Sequence, residues 1–386
     1  MNTDITPLEQ RIVRPVMPEL DTTRGIAILL VFWFHGFQYF VPAATGVPAW
    51  ERIFLSASQQ GWSGVNLFFV LSGFLITGIL LDSVNKPNYY SRFYYRRALR
   101  ILPAYYLLLL LLPALGHITF MPRHTSIAFV GLSFIYLSNI TPLLGVPMQY
   151  GPLWSLAVEE HFYILWPTAV RTLTKRGLII VATSICLIEP FLRLYAVYRG
   201  GLWWGPYTWL SADGLALGGL LAVFGRSSHA SRANLLKLVI LAAIGAIGAM
   251  AISAVVPRSV AIAIRGTCVN YFAFATVGAI LWVGTSAYRG LVDLRLLSFF
   301  GYISYGLYLI HVVCLDLYNG AVEQFSPSLS VGTSFAKCCL RLLIAVGVAT
   351  GLAYVSRVSW EEFFLRMKDR SPKAAERVAA PAQCNP

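Results

Sequence analysis

Long apolar runs alternate with short polar loops, many of them basic, along nearly the whole chain. A helix needs about 20 apolar residues to cross a hydrocarbon core ~30 Å thick. Ten runs meet that length: about 24–43, 62–82, 100–117, 152–171, 178–198, 207–225, 235–256, 260–284, 297–318 and 334–356. The pattern predicts an all-α, polytopic transmembrane helix bundle. An eleventh stretch, roughly 126–146, is apolar but interrupted by Ser133, Ser138, Asn139, Thr141, Pro142, Gly145 and Pro147.

The loops decide how that stretch is treated. Basic residues near membrane helices collect on the cytoplasmic side. A full crossing by 126–146 would put Arg171, Lys175 and Arg176 outside. Treated as re-entrant or interfacial, the stretch leaves every basic cluster inside. These are Arg11/Arg14/Arg24, Lys86/Arg92/Arg96/Arg97/Arg100, Arg171/Lys175/Arg176, Arg226/Arg232/Lys237, Arg289/Arg295 and the tail from Arg357 to Arg377. The expectation is ten spans plus one re-entrant or interfacial segment, with both termini cytoplasmic. Irregular backbone at membrane depth needs protein or a water-filled cavity around it, so the stretch also points to a vestibule. The chain divides into a cytoplasmic segment 1–23, a membrane domain 24–356 and a cytoplasmic, partly disordered tail 357–386.

Composition agrees. Hydrophobic residues make up 57% and charged residues 12%, about half the charge of a water-soluble domain. The net charge of +13 is no nucleic-acid signal, because the basic residues lie in short loops where topology accounts for them. Cys186, Cys268, Cys314, Cys338, Cys339 and Cys384 form no CxxC pair and read as small core residues, not as disulfides or a metal site. The first apolar stretch is long and followed by many more, so it reads as a retained membrane helix rather than a cleaved leader.

Several spans carry groups that are costly in a bilayer. The first runs from Asp21 and Arg24 to His35. At ~1.5 Å per residue, His35 is expected roughly 16 Å beyond Arg24, about half-way across. An ionisable group there is a functional-site hypothesis by default; a neutral histidine hydrogen-bonded between packed helices is the competing reading. The span opening at Pro152 places Glu159, Glu160 and His161 in an apolar helix behind Trp154. Glu159 lies roughly 10 Å in, near the depth assigned to His35. A carboxylate and an imidazole at one depth suit general acid/base work, the carboxylate fixing the tautomer; a structural ion pair is the alternative. Arg96 and Arg100 share a helical face with Arg97 beside them, which fits an anchor at the inner surface and also a phosphate clamp. Asn66 is expected near the outer end of the second span and Ser72 near its middle, where small-residue packing also accounts for a serine. His311 lies mid-span on a tyrosine-rich helix, and a packed, hydrogen-bonded histidine is as good a reading as a binding role. Asp213 and Arg193 are isolated ionisable groups better suited to structural pairing than to chemistry.

Five segments together resemble the acyltransferase-3 family of membrane acyltransferases that modify surface carbohydrates: Leu20–Gly25 leading to His35, Gly64–Phe74, Arg96–Arg100, Trp154–Tyr163 and Ile303–His311. The resemblance runs from about Leu20 to His311. It implies transfer of an acyl group, commonly acetyl from cytoplasmic acetyl-CoA, to a hydroxyl of a glycan or lipid-linked sugar. It implies His35 as the essential histidine, with Glu159 and Glu160 functional and Arg24, Arg96, Arg97 and Arg100 serving the donor. Asn66, Ser72, Trp154 and His311 are the expected acceptor-binding residues. Two positions depart from the pattern: Asn66 stands where many members have Asp, and His161 where Gln is usual. Some relatives add a periplasmic esterase-like domain, for which this length predicts no room.

The expected mechanism docks acyl-CoA on the arginines at the inner face and brings the thioester up to His35. That residue either deprotonates the acceptor hydroxyl or carries the acyl group, oriented by Glu159 or Glu160. No metal and no permanently bound cofactor is expected; the partners are acyl-CoA, the carbohydrate acceptor and membrane lipid, with no nucleic acid. The expected location is the inner (plasma) membrane. The rival class is a proton-coupled transporter or exporter of a small metabolite, with His35, Glu159 and His311 as a relay. Against it stand the missing inverted repeat and the missing pair of broken helices.

Overall fold

In the computed structural model, the structure describes residues 12–42, 46–117, 125–200 and 206–367. All regular structure among them is helical. Seven helical runs are long and apolar enough to cross a membrane: Ala49–Ser83, Tyr89–Gly116, Lys175–Tyr198, Arg232–Val255, Arg258–Gly284, Ser304–Phe325 and Phe335–Met367. With these helices the chain is a multi-pass helical membrane protein.

Three more helices occupy expected spans without meeting both criteria. Helix α1 (Glu19–Phe37) carries Glu19, Asp21 and Arg24 near its start. Helix α6 (Leu153–Thr172) carries Glu159, Glu160 and Arg171. Helix α8 (Asp213–Phe224) has 12 residues, about 18 Å.

The remaining helices are α2 (Ala49–Ser58), α3 (Ser63–Ser83), α4 (Tyr89–Gly116), α5 (Ile127–Phe134), α7 (Lys175–Tyr198), α9 (Arg232–Val255), α10 (Arg258–Gly284), α11 (Arg295–Tyr302), α12 (Ser304–Phe325), α13 (Phe335–Ser356) and α14 (Glu362–Met367). Side-chain oxygens of Ser126, Thr174, Ser231 and Ser334 accept from the first-turn N–H groups of α5, α7, α9 and α13. Such caps satisfy donors that a helix start leaves without partners.

Boundaries differ from the sequence expectation at three places. The first span ends at Phe37 rather than near 43, so His35 lies in the last turn of its helix. The expected span 297–318 is two helices, with α11 ending at Tyr302 and α12 starting at Ser304. Helical structure does not stop at 356, the expected end of the last span: the chain continues through a π turn at Arg357–Glu361 into α14, and residues 368–386, with Cys384, lie outside the described residues. The interrupted stretch forms α5, of eight residues, and a 3-10 segment Ser138–Leu144. An eight-residue helix rises only about 12 Å. Ser133, Ser138, Asn139 and Thr141 are fully buried in protein, as irregular backbone at this position requires. The five described cysteines are all unpaired.

Glycines set two of the closest helix crossings. A Cβ on Gly73 would lie 2.0 Å from the Leu215 carbonyl oxygen, and one on Gly218 2.0 Å from that of Val70. Helices α3 and α8 therefore touch backbone to backbone. The crossing of α1 and α11 repeats the device: a Cβ on Gly25 would meet the Leu297 carbonyl oxygen at 1.9 Å, and one on Gly301 that of Asp21 at 1.9 Å. In lipid no hydrophobic gain drives helices together, so close packing over small residues carries the association. These two crossings place α3 and α1 against the rest of the bundle, and both helices line the cavities described next.

Candidate active site

Two cavities lie end to end in the bundle. The larger, about 600 Å³, is lined by His35, Asn66, Trp154, Asp316 and Arg341 among others. The smaller, about 280 Å³, is lined by Arg24, Ser72, Arg97, Arg100, Glu159 and Glu160 among others. Val65, Phe69 and Tyr308 line both. The helices place them consistently. Along α1, Arg24 faces the smaller cavity and His35 the larger; along α12, Ser304 and Tyr305 face the smaller and Val312 to Asn319 the larger. Helix α6 runs the other way, with Trp154 in the larger cavity and Glu159 in the smaller.

At the larger cavity, His35 meets His311. Its Nδ1 lies 2.9 Å from the Val31 carbonyl oxygen and 3.2 Å from His311 Nε2. His311 is fully buried, and its Nδ1 lies 2.7 Å from the Tyr308 carbonyl oxygen. A carbonyl only accepts, so the proton of neutral His311 is on Nδ1 and its Nε2 accepts. His35 Nδ1, facing two acceptors, then carries its proton, which leaves the lone pair of the neutral ring on Nε2. Behind α1, Arg341 donates to the Gly36 carbonyl oxygen and, at 3.3 Å, to Asn319 Oδ1.

A buried polar chain holds the opposite wall. Asn66 Nδ2 donates to Asn270 Oδ1 at 2.5 Å, and Asn270 Nδ2 to Asp213 Oδ1 at 2.6 Å. Arg193 donates to both Asp213 oxygens, at 3.2 and 2.5 Å, and to the Leu210 carbonyl at 2.9 Å. Glu189 accepts from the N–H groups of Ala212 and Asp213 at the start of α8. Arg193 and Asp213, isolated in the sequence, are each other's partners.

At the smaller cavity, Glu159 accepts from Ser72 Oγ at 3.0 Å and from Tyr163 OH at 2.8 Å, and Ser72 and Tyr163 also meet at 2.9 Å. The Arg97 guanidinium lies 3.9 Å from the centre of the Tyr163 ring, a cation–π arrangement. Its buried Nε has no hydrogen-bond partner. Arg24 pairs with Asp21.

Comparison with known proteins fits this layout. The acyltransferase-3 family profile, described as an acyltransferase domain, matches residues 17–355. The chain belongs to the acyltransferase-3 family. It is 31% identical over 182 residues to the peptidoglycan O-acetyltransferase OatA of Listeria monocytogenes, covering 43% of this chain and 26% of that protein. It is 30% identical over 203 residues to the putative peptidoglycan O-acetyltransferase YrhL of Bacillus subtilis, covering 48% and 29%. A putative O-acetyltransferase of Staphylococcus aureus matches at 30% over 204 residues, covering 47% and 30%. The match thus spans less than a third of each relative's length. No solved structure matches the chain.

Within this acyltransferase-3 domain, most of the residues singled out from sequence do border one of the two cavities, but some pairings differ. Glu159 and Glu160 do not share a cavity with His35; the hydrogen bonds of Glu159 go to Ser72 and Tyr163. The carboxylate among the described lining residues of the His35 cavity is Asp316. Of the arginine cluster, Arg97 and Arg100 line the smaller cavity and Arg96 does not, so the cavity takes the i,i+3 pair rather than the i,i+4 pair. Ser72 belongs to the smaller cavity, with the arginines, rather than to the larger one with Asn66 and Trp154. His311 faces His35 directly. His161, the second departure from the family pattern, lines neither cavity; its Nδ1 lies 2.6 Å from Thr208 Oγ1.

Tyr163, Tyr308, Asn270 and Asp316 escaped the sequence reading. Tyr163 follows Glu159 by four residues and Tyr308 precedes His311 by three, so helical spacing pointed to both. Asn270 and Asp316 are polar residues in apolar spans, the signal that had singled out Asp213.

Proposed function

We propose that the protein is a membrane O-acyltransferase moving an acyl group, most simply acetyl, from cytoplasmic acyl-CoA to a hydroxyl of a cell-surface glycan or lipid-linked sugar. The observation that carries the reading is the pair of adjoining cavities, one lined by Arg24, Arg97 and Arg100 and the other by His35, whose ring meets buried His311, in a chain of the acyltransferase-3 family. Two relatives are named as a peptidoglycan O-acetyltransferase and a putative one, which supports an acceptor on the outer side. The basic loops support a topology with both termini and the cavity of Arg97 and Arg100 toward the cytoplasmic side of the inner membrane.

In this scheme the phosphates of CoA sit against Arg97 and Arg100, whose planar forks suit them. Glu159 and Tyr163 act on the donor side: Glu159 fixes the Tyr163 hydroxyl, and the Tyr163 ring carries the Arg97 guanidinium. The acceptor occupies the larger cavity between Asn66, Trp154 and His35. Its hydroxyl gives its proton to His35 Nε2 as oxygen bonds to the carbonyl carbon. The carbon–sulfur bond breaks, and the CoA thiolate takes the proton back from His35. Asp316 supplies negative charge in the cavity where His35 becomes an imidazolium.

The test is ligand protection. Acetyl-CoA should stabilise the purified protein against thermal unfolding, by the ordinary linkage of binding to stability. Arg97→Ala/Arg100→Ala loses the shift and Arg96→Ala keeps it. No shift in the wild-type protein contradicts an acyl-CoA donor.

A further inference from the structure

The proposed reading puts donor and reaction centre on opposite sides of a partition. The thiol end of CoA enters the cavity of Arg97 and Arg100, whereas His35, with His311 buried against it, borders the other. Among the described residues, only Val65, Phe69 and Tyr308 border both. Val65 and Phe69 are four residues apart on α3, hence on one face. Phe69 is buried and edge-on to Trp154, with ring centres 6.0 Å apart. From α12, Tyr308 is buried; its hydroxyl is held at 2.6 Å by Ser155 Oγ, and its ring is edge-on to Phe68 at 5.9 Å. Its backbone carbonyl is the oxygen that faces His311 Nδ1. Tyr308 is thus fixed at both ends, by α6 through its hydroxyl and by His311 through its carbonyl.

The geometry points to Val65, Phe69 and Tyr308 as the residues that set the length of the acyl group. The inference rests on the acyl-CoA reading above. Whatever the donor carries must pass between these three side chains to bring its carbonyl carbon to the acceptor oxygen beside His35. An acetyl group adds one methyl beyond that carbon. A hexanoyl chain adds four more methylenes, which have to fit in a junction already packed with two aromatic rings. Overpacking a well-filled site forces side chains off their rotamers, and a single methylene in such a pocket changes specificity by about 10–200-fold. Ser155 contributes by holding Tyr308 across the passage, so it is a positioning residue here.

The experiment compares acetyl-, butyryl- and hexanoyl-CoA as donors to membranes containing the full chain. It reads kcat/KM from CoA release and acyl groups on the recovered envelope polymer by mass spectrometry. The wild-type protein should prefer acetyl over hexanoyl by at least about tenfold. Val65→Ala should shrink that ratio at least about fivefold by raising hexanoyl transfer. Val65→Phe should stop acetyl transfer while acetyl-CoA still stabilises the protein against heat, which separates a blocked passage from a misfolded chain. Equal use of acetyl- and hexanoyl-CoA by the wild-type protein, or an unchanged ratio in an active Val65→Ala, overturns the inference and leaves the acyltransferase reading standing. No transfer from any of the three donors, with no acetyl-CoA stabilisation, overturns the parent reading and this inference with it.

Discussion

Arg193→Met tests the buried network that holds Asn66 at the wall of the larger cavity. Arg193 is 1% exposed. Its guanidinium donates to both oxygens of Asp213, to the Leu210 carbonyl and, at 2.8 Å, to Thr267 Oγ1. Methionine keeps the unbranched stem and removes every donor. Asp213 is then left with Asn270 Nδ2 at 2.6 Å and the Gly214 N–H at 3.1 Å, with Glu189 close by. Breaking a buried ion pair by deleting one partner costs about 3–5 kcal/mol, because the other charge stays buried without compensation. Arg193→Met should therefore lose about 3–5 kcal/mol. Adding Asp213→Asn removes one stranded charge, so the double variant should be more stable than the two single losses added together, by at least about 1 kcal/mol. Denaturation titrations of the four proteins in one detergent, followed by circular dichroism, give the cycle. A single loss under about 1 kcal/mol, or strict additivity, would refute the claim that these groups act as one network.

Two further outcomes follow from the packing and the smaller cavity. Gly218→Ala puts a Cβ 2.0 Å from the Val70 carbonyl and 2.6 Å from the Phe74 nitrogen, both backbone atoms; it should cost about 1–3 kcal/mol or more, read as a lower unfolding midpoint, whereas Gly347→Ala, which meets nothing within 4 Å, should not. Arg96→Ala should leave acetyl-CoA protection intact where Arg97→Ala weakens it, read by the same thermal shift.

Hydropathy made the helices legible, because a bilayer permits little else. Every expected span contains helix, and the interrupted stretch is broken where its serines, asparagine and prolines predicted. The ends were less legible. The first helix stops at Phe37 although the next residues, Gln38-Tyr39-Phe40-Val41, remain largely apolar, and no hydropathy window sees that stop.

The site was legible as a list of residues more than as a set of partners. His35, Asn66, Arg97, Glu159 and His311 all border the cavities or each other. Their pairing was not legible, since rise per residue measures distance along one helix and says nothing about which neighbour that helix faces. Glu159 was matched to His35 on depth alone. The antiparallel course of α6 instead brings Glu159 beside Ser72, and α12 brings His311 to His35. Arg97 and Arg100 were separated from Arg96 by azimuth, which charge clustering cannot resolve.

The central claim is that His35 is the base, in a cavity separate from the one that holds the donor. Acyl transfer and acetyl-CoA stabilisation measured side by side on His35→Gln address it most directly. The account predicts transfer lower by about 10²–10⁴-fold with the acetyl-CoA shift unchanged. Transfer at the wild-type rate, or a shift lost together with activity, would contradict it.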